Sequence, residues 1–167
     1  MGQPHFQPSP GARTGFVFIC PGRFEASRGY PCAAGTGANL ARALLVLHER
    51  LPSHFPSSAR EKYVITNSWD RVEYPALTQR SVPTLDEVLA DANLQRLAAE
   101  IGALETVVAC GTHAQAAVRV LAERGAIRAR PAFARHLSQR AVNMIPGAAD
   151  TAGRIGQWCS GVIAQLL

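Results

Sequence analysis

The sequence predicts a three-layer α/β/α domain built on a four-stranded, mostly parallel sheet with strand order 2-1-3-4. Three observations carry that expectation. Short, almost wholly apolar runs recur at Gly15–Cys20, Tyr63–Thr66 and Thr106–Cys110, as strands buried on both faces require. Each run ends in a turn or polar loop and is followed by a segment with helical spacing of apolar residues. The length, 167 residues, suits one domain with a substantial core.

Taken in order, residues 1–14 hold three prolines and two glycines with little periodicity, and read as a flexible or edge-lying tail ahead of a domain over 15–167. The first strand, Gly15–Cys20, leads into a Gly- and Pro-rich loop to Gly37. Leu40, Leu44, Leu45 and Leu47 then give a helix over Asn39–Leu51, closed by Pro52. A second strand, Tyr63–Thr66, ends at Asn67-Ser68. A long polar loop with Trp69 and Tyr74 follows. Thr84 and Glu87 form a capping-box pattern that opens a helix reaching about Ala103. The third strand, Thr106–Cys110, turns at Gly111 into a helix over His113–Arg124. Pro131–Ala134 is the expected fourth strand, and Asp150–Leu167 the final helix, with Ile155, Trp158, Val162, Ile163 and Leu166 on its core face.

Composition narrows the function classes. Hydrophobic residues make up 47% and charged residues 17%, which excludes a disordered or coiled-coil chain. The 17 Lys and Arg against 12 Asp and Glu give a net charge of +5, and Lys62 is the sole lysine. Arginine forks onto phosphates and stacks on bases, so this balance suits a nucleic-acid partner; an Arg-rich genome gives the same numbers. Four cysteines, at 20, 32, 110 and 159, form no CxxC pair and no zinc or iron–sulfur spacing, so no metal or cofactor is expected. The first 14 residues lack the apolar core of a signal peptide, and no apolar run reaches the ~20 residues a bilayer span needs. The expectation is a cytoplasmic, monomeric protein with free thiols and no membrane partner.

The chemistry-bearing residues all fall just after strands, where this architecture places its ligands. Cys20-Pro21-Gly22-Arg23-Phe24-Glu25 follows strand one, Asn67 strand two, Gly111-Thr112 strand three, and His136-Leu137-Ser138 strand four. The stretch from Cys20 to Leu44, with Pro21-Gly22, Glu25, Gly29, Pro31, Gly37 and Leu40, resembles the first motif of the thermophile-type uracil-DNA glycosylases. Asn67 is similar to the asparagine that ends strand two in that superfamily, Val107–Ala116 to its following strand–Gly–helix segment, and His136-Leu137-Ser138 to its His-Pro-Ser loop. These landmarks lie in the family's order and span Phe16 to Ser138.

The resemblance implies a DNA-repair glycosylase that flips and excises uracil or another deaminated base from single- or double-stranded DNA. On that reading Cys20, Pro21, Gly22, Phe24, Tyr30, Cys32 and Asn67 handle the base. Arg23, Gly111, Thr112, Arg135, Leu137, Ser138 and Arg140 meet DNA, with Leu137-Ser138 filling the gap the base leaves. Physical chemistry fits the residue types. N-glycosidic cleavage expels the base as an anion, which a donor at His136 stabilises. A side-chain amide such as Asn67 offers a donor and an acceptor to the uracil edge. Relatives position water with Asp or Asn at the Cys20 position, or Glu at the Ile19 position. Here those are thiol and hydrocarbon, leaving Glu25 as the acid of the loop and Asp70 as its reserve. The aromatic expected to stack on the base falls near Cys32, with Tyr30 or Phe24 as substitutes, and the family's iron–sulfur cysteines are absent.

Two other readings stay open on the sequence. Ile19 and Cys20 also fit a base-binding module of the same fold that does not catalyse. Cys20, at the carboxyl end of a strand, also fits a thiol nucleophile if a base lowers its pKa.

Overall fold

The computed structural model describes residues 2–167. Strands β1 (Thr14–Phe18), β2 (Val64–Asn67), β3 (Thr106–Cys110) and β4 (Arg130–Ala134) form one parallel sheet in the order β2-β1-β3-β4. Phe16 sits beside Ile65 on one side and Val108 on the other, and Val108 beside Ala132. The predicted fold class and strand order are those observed.

Alternation along the strands splits the core in two. Phe16, Phe18, Ile65 and Val108 face a layer made by α2 (Ala34–Arg50), α7 (Gln139–Asn143) and α8 (Thr151–Leu166), burying Leu40, Leu44, Leu47, Trp158 and Val162. Val17, Val64, Val107 and Ala109 face α4 (Leu85–Val88), α5 (Asp91–Ile101) and α6 (Thr112–Glu123), against Val88, Leu94, Leu97, Val118 and Leu121. Both faces are covered, which is why the strands read as continuous apolar runs. Among the described residues no helix is long and apolar enough to cross a membrane.

Several boundaries differ from expectation for identifiable reasons. β1 leaves the sheet at Phe18, and the Ile19 carbonyl accepts from the Ser68 hydroxyl (2.8 Å) and the Trp69 N–H (3.0 Å). The helix after the first loop starts five residues earlier, at Ala34. The preceding loop contains a further short helix, α1 (Arg23–Arg28), too brief to show periodicity, and Pro75–Thr78 forms another, α3. The single helix expected from Thr84 is broken. Thr84 Oγ1 caps α4 by accepting the Glu87 N–H, but Asn93 Nδ2 takes the Val88 carbonyl (2.7 Å) that a continuous helix would bond to residue 92.

The segment before β1, expected as a flexible or edge-lying tail, is tied to the outer edge of β2. Gln7 exchanges backbone hydrogen bonds with Ile65 (2.7 and 3.1 Å) in an antiparallel bridge, and its side-chain amide donates to the carbonyls of Arg60 and Tyr63. At the opposite edge Gln165 bonds both backbone groups of Phe133 with its side chain (2.8 and 2.9 Å). These contacts occupy backbone groups on each outer strand that an incoming strand would otherwise pair with.

Candidate functional site

The carboxyl ends of the strands bring Phe18, Cys20, Glu25, Cys32, Thr36, Asn67 and His136 around one cavity of about 30 Å³. That volume holds roughly one water molecule. Five of the residues expected at the site therefore converge, while Phe18 and Thr36 join them unannounced. Phe18 read as core because it lies within an apolar run, and Thr36 carried no motif. A larger hollow, about 480 Å³, lies at the other end of the sheet between Ser9–Thr14 and Pro56–Tyr63, away from every candidate residue.

Glu25 is built into the first loop. Its Oε1 accepts the Gly22 N–H (2.7 Å) and its Oε2 the Ala33 N–H (3.0 Å), so the carboxylate caps α1 and staples the start of α2 across the cavity. On either side of the second anchor, Cys32 (φ 56°) and Ala34 (φ 54°) take left-handed backbone conformations that side chains disfavour. Arg60 holds the bend from outside, donating to the carbonyls of Pro31 (2.6 Å) and Cys32 (2.8 Å).

His136 enters from the loop after β4. Its ring meets Phe18 edge-on, with centroids 5.5 Å apart and planes at 75°. Its Nδ1 accepts the Ser138 N–H (3.0 Å), so the proton of the neutral ring resides on Nε2. Burial pushes the imidazole down to about 4, keeping it a neutral Nε2–H donor at pH 7. Asn39, fully buried on α2, was missed by sequence reasoning. Its Nδ2 donates to the Leu137 carbonyl (2.9 Å) while Arg42 Nη1 donates to its Oδ1 (2.8 Å), which fixes the loop that carries His136. A polar residue in the apolar stripe of a helix was the available signal.

Asn67, 2% exposed at the end of β2, donates through Nδ2 to the His5 carbonyl (3.1 Å). Its Oδ1 accepts no hydrogen bond among the described residues. Gly111, at the end of β3, has φ 94°, and a Cβ there would meet Ile19 Cδ1 at 2.8 Å, so α6 can begin against the cavity only with glycine at that turn.

Other expectations are corrected. Leu137 is fully buried in the core layer of α2 and α8, so its side chain is not presented for insertion into a base stack. Ser138 caps α7 through the Ala141 N–H. Phe24 and Tyr30, proposed stacking residues, lie outside the cavity, 47% and 41% exposed, beneath the guanidinium groups of Arg23 and Arg60. Phe18 is the aromatic that faces the cavity. Asp70 lies away from it, 3.9 Å from Arg96 beside Trp69, and so is not placed to act on water there. Pro21 is buried and its carbonyl accepts the Glu73 N–H. Arg23, Thr112, Arg135 and Arg140 are exposed on the loops and helix ends that follow the strands.

The thiols are unsuited to nucleophilic work. Burial, with Glu73 and Glu25 nearby, pushes Cys20 up to about 12, and its Sγ donates to the Ser81 carbonyl (3.5 Å). Burial likewise raises Cys32 to about 12. A thiolate is the reactive form, so Cys20 belongs to the wall. Among the described residues no three His, Cys, Asp or Glu side chains gather in a metal-binding cluster. The arrangement therefore offers one neutral imidazole donor, one amide oxygen acceptor, a carboxylate and an aromatic wall. Neither the protein-family models nor the curated proteins include one that matches this chain.

Proposed function

We propose that this chain is a DNA glycosylase-like protein whose cavity takes a base swung out of the nucleic acid and promotes N-glycosidic hydrolysis. The observation that carries the reading is the pairing of Asn67 with a neutral His136 at one cavity on the carboxyl side of the sheet. Cleavage breaks the bond from C1′ to the base nitrogen and leaves the electron pair on the base. His136 Nε2–H donates to the carbonyl oxygen where that charge collects, at no cost in deprotonation. Water adds to C1′ and gives up a proton, which the departing base anion finally takes, so the products are the abasic sugar and the neutral base. Glu25 borders the cavity, and each of its oxygens retains a lone pair beyond the one given to the backbone, enough to orient that water.

Exposed Arg23, Arg135 and Arg140, on the loops and helix ends that follow the strands, supply phosphate contacts. A base requires more room than the present 30 Å³, so part of the wall, which includes Cys32 and Thr36, has to yield on binding.

A second reading, a base-binding module without turnover, is favoured by one observation: both oxygens of Glu25 already serve the backbone, and Cys20 is held as a thiol. Incubation with a uracil-containing oligonucleotide decides between them. The glycosylase reading predicts abasic sites with the native chain and their loss in Asn67→Ala and His136→Ala. Binding that weakens with salt, without abasic sites from uracil, hypoxanthine or xanthine, supports the module instead.

A further inference from the structure

Helix α1 buries none of its residues in the core. It carries Arg23, Phe24 and Arg28, all exposed, and exposed Tyr30 follows just past its end. A guanidinium lies over each of the two rings, Arg23 5.0 Å from the centroid of Phe24 and Arg60 5.3 Å from that of Tyr30. The segment is nonetheless held firmly. Glu25 anchors it through the Gly22 and Ala33 N–H groups, and Arg60 is tied to Pro31, Cys32 and Gln7 Oε1 (3.2 Å). Glu25, next to Phe24 in the chain, and Cys32, two residues beyond Tyr30, both line the cavity.

The loop after β4 has the opposite character. His136 lines the cavity, Leu137 is fully buried in the layer of α2 and α8, and Ser138 Oγ accepts the Ala141 N–H. Asn39 Nδ2 grips the Leu137 carbonyl (2.9 Å), so the loop keeps that side chain inside.

We propose that the substrate is single-stranded DNA, with bases next to the flipped one stacking on Phe24 and Tyr30. The inference rests on the cavity being a base site. Drawing a base out of a duplex breaks its pair and leaves a gap in the stack, which an inserted side chain normally fills. None of the three loop residues is free to fill it. An unpaired strand has no pair to break, and its bases offer open faces that aromatic rings take up whatever the sequence. Arg23 and Arg28 set positive charge beside the rings for the backbone phosphates.

The test uses a labelled oligonucleotide with one central uracil, alone and annealed to its complement. Fluorescence anisotropy measures binding at one fixed salt concentration, and abasic sites are counted in parallel. The native chain should bind the single strand at least about tenfold more tightly than the duplex, the value of stacking one or two bases. Phe24→Ala and Tyr30→Ala, with folding checked by circular dichroism, should each weaken single-strand binding at least about fivefold, the low end for one stacked base. Equal binding of strand and duplex, with abasic sites formed in both, overturns the strand preference and leaves the base site standing. So does a Phe24→Ala variant that loses more affinity for the duplex than for the strand, because Phe24 would then be the side chain that fills the gap. Single-strand binding unchanged in both variants overturns the stacking surface. Failure to bind or cleave either form overturns the base site and this inference together.

Discussion

Acid titration of stability isolates the buried imidazole of His136. Burial lowers its pKa from 6.5 to about 4. The folded protein therefore keeps the ring neutral to about pH 4, whereas the unfolded chain protonates it near pH 6.5. Between those values the unfolded state binds the extra proton, so stability falls as the pH falls. At about 1.36 kcal/mol per pKa unit, the full displacement is worth up to about 3 kcal/mol between pH 7 and pH 4. Urea denaturation across that range, run in parallel on the native chain and His136→Gln, measures it. Carboxylates shared by both proteins cancel in the difference, which should change by about 1.4 kcal/mol per pH unit near pH 5, one proton's worth. Parallel curves for the two proteins would refute the argument, as would a His136 ring that titrates near 6.5 in the folded state.

Three further outcomes follow from packing. Leu137→Ala should cost about 2–5 kcal/mol of folding stability in urea melts, the range for an emptied core site; a cost under about 1 kcal/mol would return Leu137 to the surface. Gly111→Ala should lose more than about 2 kcal/mol, because it adds the penalty of a positive-φ, extended backbone (φ 94°, ψ 164°) to the collision with Ile19. The same variant melting like the native chain would show that the turn relaxes freely. At pH 8 the thiols of Cys20, Cys32 and Cys159 should label with iodoacetamide far more slowly in the folded protein than in urea, since burial raises each to about 12. Rapid labelling of native Cys20, located by peptide mapping, would reinstate it as a nucleophile.

Much of this architecture was legible because it rests on local pattern. Runs such as Phe16-Val17-Phe18 and Val107-Val108-Ala109 are buried on both sides, and burial on both sides leaves no polar alternation to misread. Their carboxyl ends located Glu25, Asn67 and His136 correctly as neighbours. What escaped the sequence depends on backbone groups, which every residue carries alike. Nothing in the chemistry of His5 announces that its carbonyl meets Asn67, 62 positions away. Arg60 looks like any surface arginine until it is seen holding Pro31, Cys32 and Gln7 at once. Leu137 was misassigned for a related reason: its neighbours Arg135 and Arg140 are exposed, but the turn stabilised by Asn39 points its side chain inward. Helix α1 has six residues, too few for an apolar stripe, and is set by the Glu25 contact to Gly22.

The central claim is that Asn67 and a neutral His136 meet one base in one cavity. The most direct measurement is a long-range proton–nitrogen spectrum of the histidine rings at pH 7, recorded as uracil and then cytosine are added. His136 should be protonated on Nε2 before any addition, and its Nε2 resonance should move saturably with uracil and not with cytosine. A His136 ring protonated on Nδ1, or one that uracil leaves unmoved at saturating concentration, would contradict it.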